Sequence, residues 1–340
     1  MQKNFDATLD DLLIEKPDTV AVAVSGGADS FALLDLTMRW AAENGIAVHA
    51  FTVDHGLRKN STKEAKAVAA WCKTKKIPHD ILTWTGAKPK TGLQDAARNK
   101  RRELLFAACA QRNIPVLLMA HQADDQAETV LMRLQRGSGL LGMTGIHSFT
   151  YDDASNVSLV RPLLGVRRKE LRSYAVKKKL PFIDDPSNEN DAFERVAVRK
   201  VLAQLPQLAD GVVKTVERLT RVDWAIMATA MACFLNHREL TDGGVWLPAS
   251  LFGTFEDEIC LRVAEQAIHW IDADADIPLP GLEQLAERLK KPDFKGQTLA
   301  GCAVAPKTRQ KQKGFLFTAA PARRPTTVKP AKTKPARKSR

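Results

Sequence analysis

A doubly wound parallel α/β sheet, followed by a smaller and mainly helical domain, is the fold predicted by this 340-residue sequence. Three observations predict it. β-rich runs alternate with helix-length segments through the first half, the first run ends in a Gly-Gly turn that opens a helix, and long amphipathic patterns take over after Pro206. Strands alternating with helices of this length build βαβ units, and ligands of such sheets lie beyond the carboxyl ends of the strands.

In order, the β-rich runs lie near 20–24, 47–53, 78–84 and 115–119, with helix-like segments at 29–44, 62–75, 93–112 and 124–136 between and after them. Residues 137–156 are turn-rich, 158–162 are extended, and 167–179 form a basic helix-like segment. Helical patterns then cover 211–236, 256–271 and 282–289, while 298–304 and 314–318 read as a short closing pair of strands. The boundary between domains is expected at 205–210.

Composition narrows the classes. No apolar run approaches the ~18–20 residues that span a membrane, and the first residues lack the basic and apolar regions of a secretory signal. A cytoplasmic protein without a membrane partner is expected. The five cysteines are widely spaced and contain no Cys-x-x-Cys, which argues against a disulfide framework, a zinc ribbon or an iron–sulfur site. Eight of the twelve excess positive charges fall in 321–340, a Pro/Lys/Arg-rich tail with no acidic residue. Such a tail has too little apolar surface to fold and can add a diffuse attraction to polyanions. Nothing in the sequence sets the oligomeric state, and a homodimer is an open expectation.

The chemistry-bearing motifs begin at or near strand ends. Ser25-Gly26-Gly27-Ala28-Asp29-Ser30 joins the first strand to the first long helix. Two glycines let backbone N–H groups approach phosphate oxygens, the helix N-terminus adds partial positive charge, and the hydroxyls of Ser25 and Ser30 can donate. Asp29 or Ser30 can cap the helix. This is neither a Walker A loop nor a dinucleotide fingerprint. Asp54-His55-Gly56-Leu57-Arg58 closes the second strand, where Asp54 and His55 can hold a ribose or base and Arg58 a phosphate. Arg98, Arg101 and Arg102, at i, i+3 and i+4, share one helix face that suits phosphate clamping, the alternative being a solvated basic face paired with Glu103 or nearby acids. In His121-Gln122-Ala123-Asp124-Asp125-Gln126-Ala127-Glu128-Thr129, the carboxylates of Asp124, Asp125 and Glu128 converge on one face. Such a cluster can hold Mg²⁺ against phosphates or grip and deprotonate an ammonium. Arg136 ends that helix before Gly137-Ser138-Gly139, and Asp185-Pro186-Ser187-Asn188 precedes Arg195 and Arg199.

Taken together with Arg161-Pro162-Leu163-Leu164, this series resembles the bacterial tRNA(Ile)-lysidine synthetases of the ATP-pyrophosphatase (PP-loop) superfamily, over about 25–200 and in the family's order. The resemblance implies a Rossmann-like PP-loop catalytic domain over 1–207, a mainly helical tRNA-binding or accessory domain over 208–318, and a disordered basic tail over 319–340. It implies an ATP-dependent carbon–nitrogen ligase acting on the wobble cytidine of a tRNA(Ile) with a CAU anticodon. The carbon-2 oxygen would attack the α-phosphate of ATP, releasing pyrophosphate, and the ε-amine of L-lysine would then displace AMP. Ser25, Gly26, Gly27, Ala28, Asp29, Ser30, Asp54 and His55 would bind ATP. Asp125, Glu128, Arg98 and Asp29 would be catalytic, with Asp125 or Glu128 accepting the lysine proton and Arg98 or Arg101 at the α-phosphate. Asp124, Arg58, Arg101, Arg136, Arg195 and Arg199 would contact lysine or tRNA, and Asp29 and Asp125 would hold Mg²⁺. The sequence departs from the family pattern at Arg102, where an aromatic is common, at Val196, where Asn is common, and in having no further C-terminal domain after the helical one. The rival within the superfamily is a tRNA thiolase or an amidating ligase, and a non-catalytic ATP- or RNA-binding module would have no use for the acidic helix.

Overall fold

Val20, Ala21 and Val22 have no exposed surface, which is the signature of a strand covered on both faces. They sit in β1 (Thr19–Ala23), the middle of a six-stranded sheet ordered β3-β2-β1-β4-β6-β5. The computed structural model that gives this fold describes residues 1–57, 61–89, 91–183 and 194–321. The chain runs α1 (Gln2–Leu12), β1, α2 (Ala28–Asn44), β2 (Ala47–Asp54), α3 (Ser61–Thr74), β3 (His79–Thr83), α4 (Leu93–Gln111), β4 (Val116–Leu118), α5 (Ala123–Gln135) and α6 (Leu140–Met143). It continues through β5 (Phe149–Asp152), β6 (Val157–Val160), α7 (Arg168–Lys177) and α8 (Glu194–Gln204) into α9 (Pro206–His237). All neighbouring strands pair in parallel except β5 with β6.

The period of two along the strands sorts the core. Val20, Val22, Ala50, Val116, Leu118 and Val160 face a layer that includes Phe31, Leu34, Val68 and Leu171 from α2, α3 and α7. Their alternates Ala21, Phe51, Leu117 and Leu159 meet Leu105, Phe106 and Cys109 of α4. Helix α2 stops at Gly45, whose φ of 69° is the left-handed cap that glycine adopts without steric penalty. From β1 the chain winds outward to β2 and β3, then returns to β4 on the other side of β1. The connections leaving β1 and β4 therefore diverge, and the crevice between them is the topological switch point of the sheet.

The chain divides into two compact units, 1–221 and 222–340. The division lies inside α9, later than the expected 205–210, because Ala209 on the first turns of α9 packs with Ala127 and Leu202. Farther along, Ala230, Cys233 and Phe234 belong to the core of the second unit. That unit adds β7 (Glu239–Thr241), β8 (Gly244–Pro248), α10 (Ala249–Thr254), α11 (Asp257–Ile271), α12 (Leu279–Leu289), β9 (Gln297–Leu299), β10 (Cys302–Arg309) and β11 (Gln312–Ala319). Its strands form an antiparallel sheet, β7-β8-β11-β10-β9, larger than the expected closing pair. The two-residue loop Asp242-Gly243, with Gly243 at φ 81°, is the hairpin signal for β7 and β8. The five cysteines are free and buried, and no described helix is long and apolar enough to cross a membrane.

One buried charge network holds the second unit in register. Arg262, 1% exposed, places Nη2 2.6 Å from Asp223 Oδ1 and Nε 3.0 Å from Glu258 Oε1. Removing one partner of a buried pair strands the other charge in low dielectric. Arg262→Ala is expected to lower unfolding free energy by about 3–5 kcal/mol in urea titrations, and the apolar double change Arg262→Met with Asp223→Leu by much less. An equal loss in both variants would contradict this account.

Candidate active site

The end of β1 leads into a tight backbone turn at the N-terminus of α2. The Val24 N–H donates to Phe51 O at 2.8 Å, prolonging the pairing to the lip of the sheet. Gly26 then turns at φ 92°, a conformation that only glycine takes without strain, and Gly27 is the extended N-cap of α2. Neither Asp29 nor Ser30 caps this helix, as the sequence had suggested, because both already lie within its first turn. The Ser30 hydroxyl, expected to face phosphate, is turned into the loop: it accepts from the Ser25 N–H and Oγ at 3.2 Å each and donates to Gly27 O at 2.9 Å. Ser30 thus shapes the loop, leaving the exposed Ser25 and the first amides of α2 to meet an anion.

Across the switch point, β4 leads into α5. Gln122, fully buried, accepts from the Asp124 N–H, and Asp125 Oδ2 accepts from the Gln122 N–H at 3.2 Å. These reciprocal bonds fix the first turn, so Asp124, Asp125 and Glu128 are presented together. Their partners differ from the sequence expectation. Asp124 receives Arg167 through Nη2 at 2.8 Å and Nε at 3.3 Å, together with the Arg168 N–H at 2.8 Å. Arg167 also pairs with Asp210. Glu128, 1% exposed, is ringed by Arg199 Nε at 2.7 Å, Arg195 Nε at 3.1 Å and Arg168 Nη2 at 3.2 Å. The same Arg168 nitrogen lies 3.2 Å from Asp125 Oδ1. Glu128 and Asp124 are therefore joints between helices, and Arg195 and Arg199 hold Glu128, where contacts to substrate had been expected. Arg167 and Arg168 were not foreseen as site residues.

Asp29 is the exception. It makes no hydrogen bond or ion pair with any described residue, although it lies close enough to the cluster to feel Arg168, Asp125 and Asp124. Burial pushes its carboxyl up to about 6, helped by Asp125 and Asp124 and opposed by Arg168 and Arg172.

Opposite the carboxylates stands a group of cations. Arg98 and Arg101 on α4 make no bond to any described acceptor. Burial and then Arg98 lower the Arg101 guanidinium, against the pull of Asp125. Arg161 donates to His147 O at 2.7 Å while its Nε is buried without a partner, and burial with Arg102 and Arg98 brings it down to about 10. His121, at the head of α5, is held neutral: burial first, then Arg161, Arg101 and Arg98, push it down to about 3. Arg102, expected on this face, turns away to Asp152 at 3.3 Å and stacks 5.0 Å from the Phe106 ring centroid.

The second strand end is different again. Asp54 is 4% exposed and accepts from Gly56 N–H at 2.9 Å, Ser61 Oγ at 2.7 Å and Thr62 Oγ1 at 2.6 Å. Burial alone would raise this carboxyl, but those bonds outweigh it and hold it below the usual range. Asp54 anchors the start of α3, where a nucleotide contact had been expected, while the half-buried His55 packs edge-on against Trp84. Arg136 lies exposed at the end of α5. Arg58, the 185–188 turn and 322–340 lie outside the described residues, as does the side chain of Val196. Ile183 donates its N–H to Gly26 O at 2.9 Å, which ties the segment after α7 to the loop that follows β1.

Residues 1–205 match the family model described as a PP-loop domain. A tRNA(Ile)-lysidine synthase of Hyphomonas neptunium is 38% identical over 326 residues, covering 89% of this chain and 83% of its own. That of Bradyrhizobium diazoefficiens is 36% identical over 306 residues, covering 86% and 83%. Among solved structures, a U34-tRNA thiolase from Methanococcus maripaludis superposes with a TM-score of 0.56 at 19% identity, over 64% of this chain and 77% of its own, a likeness of fold.

The pairing pattern has opposite consequences for two carboxylates. Glu128→Gln leaves three guanidiniums around a neutral amide and is expected to destabilise by about 3 kcal/mol in denaturant titrations. Asp29 ionises at about 6 in the fold and at 3.8 as a free side chain, so the folded state carries a penalty that grows as pH rises between them and is complete above. Asp29→Asn is therefore expected to raise the thermal midpoint at about pH 7.5 and leave it unchanged below about pH 4. A midpoint that falls at neutral pH would refute the unpaired placement of Asp29.

Proposed function

The chain belongs to the tRNA(Ile)-lysidine synthases of the PP-loop family, and from that premise we propose how its site divides the ligation of L-lysine to the wobble cytidine of a CAU-anticodon tRNA(Ile). The observation that carries the reading is the pairing pattern. Asp29, Arg98 and Arg101 have no partner among the described residues, whereas Glu128 and Asp124 are joined to arginines of the fold. Groups left unsatisfied at a switch point are the ones a substrate completes.

In the first half-reaction the amides after Ser25 take the phosphates of ATP, and Arg98 and Arg101 lie ready for charge developing on the α-phosphate as the cytosine oxygen attacks it. No group of three metal-ligating side chains occurs among the described residues, so the donor set suits an ion held mostly by phosphate and water. Mg²⁺ arriving with ATP would be held by Asp29, with Asp125 behind it, and would neutralise phosphate charge. In the second half-reaction the lysine ε-amine, with an intrinsic pKa of about 10.4, must lose a proton before its nitrogen can bond to carbon 2 and expel AMP. Asp125 or Glu128 on α5 accepts that proton. Asp125 orients the amino acid. Glu128, which accepts from Arg199 and Arg168 through Oε1, also keeps α5 in place. Arg58, Arg136 and the basic tail supply charge for tRNA phosphates. Sulfur transfer has no support from the thiols: all five are buried, and burial pushes Cys72 and Cys109 up to about 11 and 12.

Incubation with ATP, labelled L-lysine and a CAU-anticodon tRNA(Ile) transcript is expected to place label in the tRNA. Pyrophosphate release with no lysine incorporated would overturn the reading. Asp125→Asn is expected to slow transfer about 10²–10⁴-fold, the usual contribution of a general base, while ATP binding stays measurable. Unaltered turnover would remove Asp125 from this role. Deleting 321–340, which carries eight basic residues, is expected to weaken tRNA binding more at low than at high salt. Equal affinity at both would show that the tail does not contribute.

A further inference from the structure

We propose that Arg168 reads the α-carboxylate of the amino-acid substrate. The inference rests on the lysine-ligating reading above and adds the group that selects for a free amino acid.

Arg168 is the first residue of α7, and its backbone N–H is committed to Asp124 Oδ2 at 2.8 Å. Its guanidinium uses a single nitrogen, Nη2, to reach both Asp125 Oδ1 and Glu128 Oε1, each at 3.2 Å. Those contacts are longer than the ~2.7–2.9 Å usual for charged pairs. Nε and Nη1 bond to no described residue, and the side chain is 37% exposed, so one edge of the fork faces accessible space. A guanidinium edge of this kind accepts a carboxylate through two parallel N–H bonds.

The surroundings decide which anion. Asp29, Asp124, Asp125 and Glu128 all act on Arg168, and a phosphate carrying two charges would be repelled by them. An α-amino acid head brings its own cation, which Asp125 can accept beside the fork while Arg168 takes the carboxylate. Arg98 and Arg101, with no carboxylate bonded to them, are the positions suited to phosphate. The arrangement therefore separates two anions by sign of environment: phosphate at α4, carboxylate at α7.

The test compares substrates. With the full chain, ATP and tRNA(Ile) transcript, KM is measured for L-lysine, for L-lysinamide, which lacks the charge on the carboxyl, and for 1,5-diaminopentane, which lacks the group. The unmodified enzyme is expected to show KM values about 10- to 100-fold higher for both analogues than for lysine, the range for losing a charged hydrogen-bonded contact. Arg168→Gln is expected to raise KM for lysine by a similar factor while moving that for lysinamide less than about threefold. Arg168→Lys, which keeps the charge and loses the fork, is expected to fall between. Equal KM for lysine and its analogues in the unmodified enzyme would overturn the proposal, as would a parallel rise for all three amines in either variant. Should Arg168→Gln fail to fold, the unmodified enzyme and Arg168→Lys still decide. No incorporation of any of the three amines would count against the ligase reading itself.

Discussion

One buried carboxylate holds the catalytic half of this molecule together. Glu128 sits on α5 at the switch point, almost without contact with water, and draws in Arg168 from α7 and Arg195 and Arg199 from α8. Desolvating an isolated carboxylate to that degree is prohibitive, so the position exists only because the arginines arrive. They in turn are fixed in direction by it. Two helices from later in the chain than α5 are thereby aimed at the same crevice as the 25–30 loop, which is what gives the loop a second wall.

This constraint sorts like from like. Charged residues at the crevice look equivalent as a composition, yet some are bonded across helices and others have no partner among the described residues. Asp124, Glu128, Arg167, Arg195 and Arg199 belong to the first kind, and Asp29, Arg98 and Arg101 to the second. The distinction has an energetic basis. A satisfied ion pair can be rigid and inert, while an unsatisfied charge at a lip remains expensive until a ligand of opposite sign arrives. Asp29 carries that expense in its raised ionisation, and Arg101 in its lowered one. The site is poised because the fold leaves a few of its charges uncompensated.

The sequence made the parallel core of the first unit legible, since local signals decide it: the apolar run of β1, the Gly-Gly turn, and helical periodicity through α2 to α5. Less local features escaped. Helix α1 was missed although Phe5 and Leu9 recur at a helical spacing and are buried. The hairpin strands β5, β7 and β8 are short, with only Asp242-Gly243 as a marker. The motifs marked the right loops and helices, but not which side chain would be spare, because that depends on partners brought in by the fold, some a few residues away and others 40 or more. Ser30 reads as a phosphate donor until its bonds to Ser25 and Gly27 are seen. Asp54 reads as a ligand until Ser61 and Thr62 are seen to hold it. One signal for the unforeseen pair was present: Arg167 and Arg168 begin a helix, where cations oppose the macrodipole unless carboxylates stand outside. Arg102 was legible as a departure from the family pattern, and its pairing with Asp152 accounts for it.

The sequence separation of the Glu128 contacts bears on how the protein comes into being. Arg168 lies 40 residues downstream and Arg199 lies 71. At a synthesis rate of ~5–20 residues per second, the last of the three guanidiniums leaves the ribosome roughly 4–14 s after the carboxylate it must meet. During that interval the sheet through β6 can form from contacts already made, but α5 has no reason to settle, because burying Glu128 alone is unfavourable. Assembly of the crevice is thus deferred to the completion of α8, and nascent chains shorter than that carry the 25–30 loop without its opposing wall.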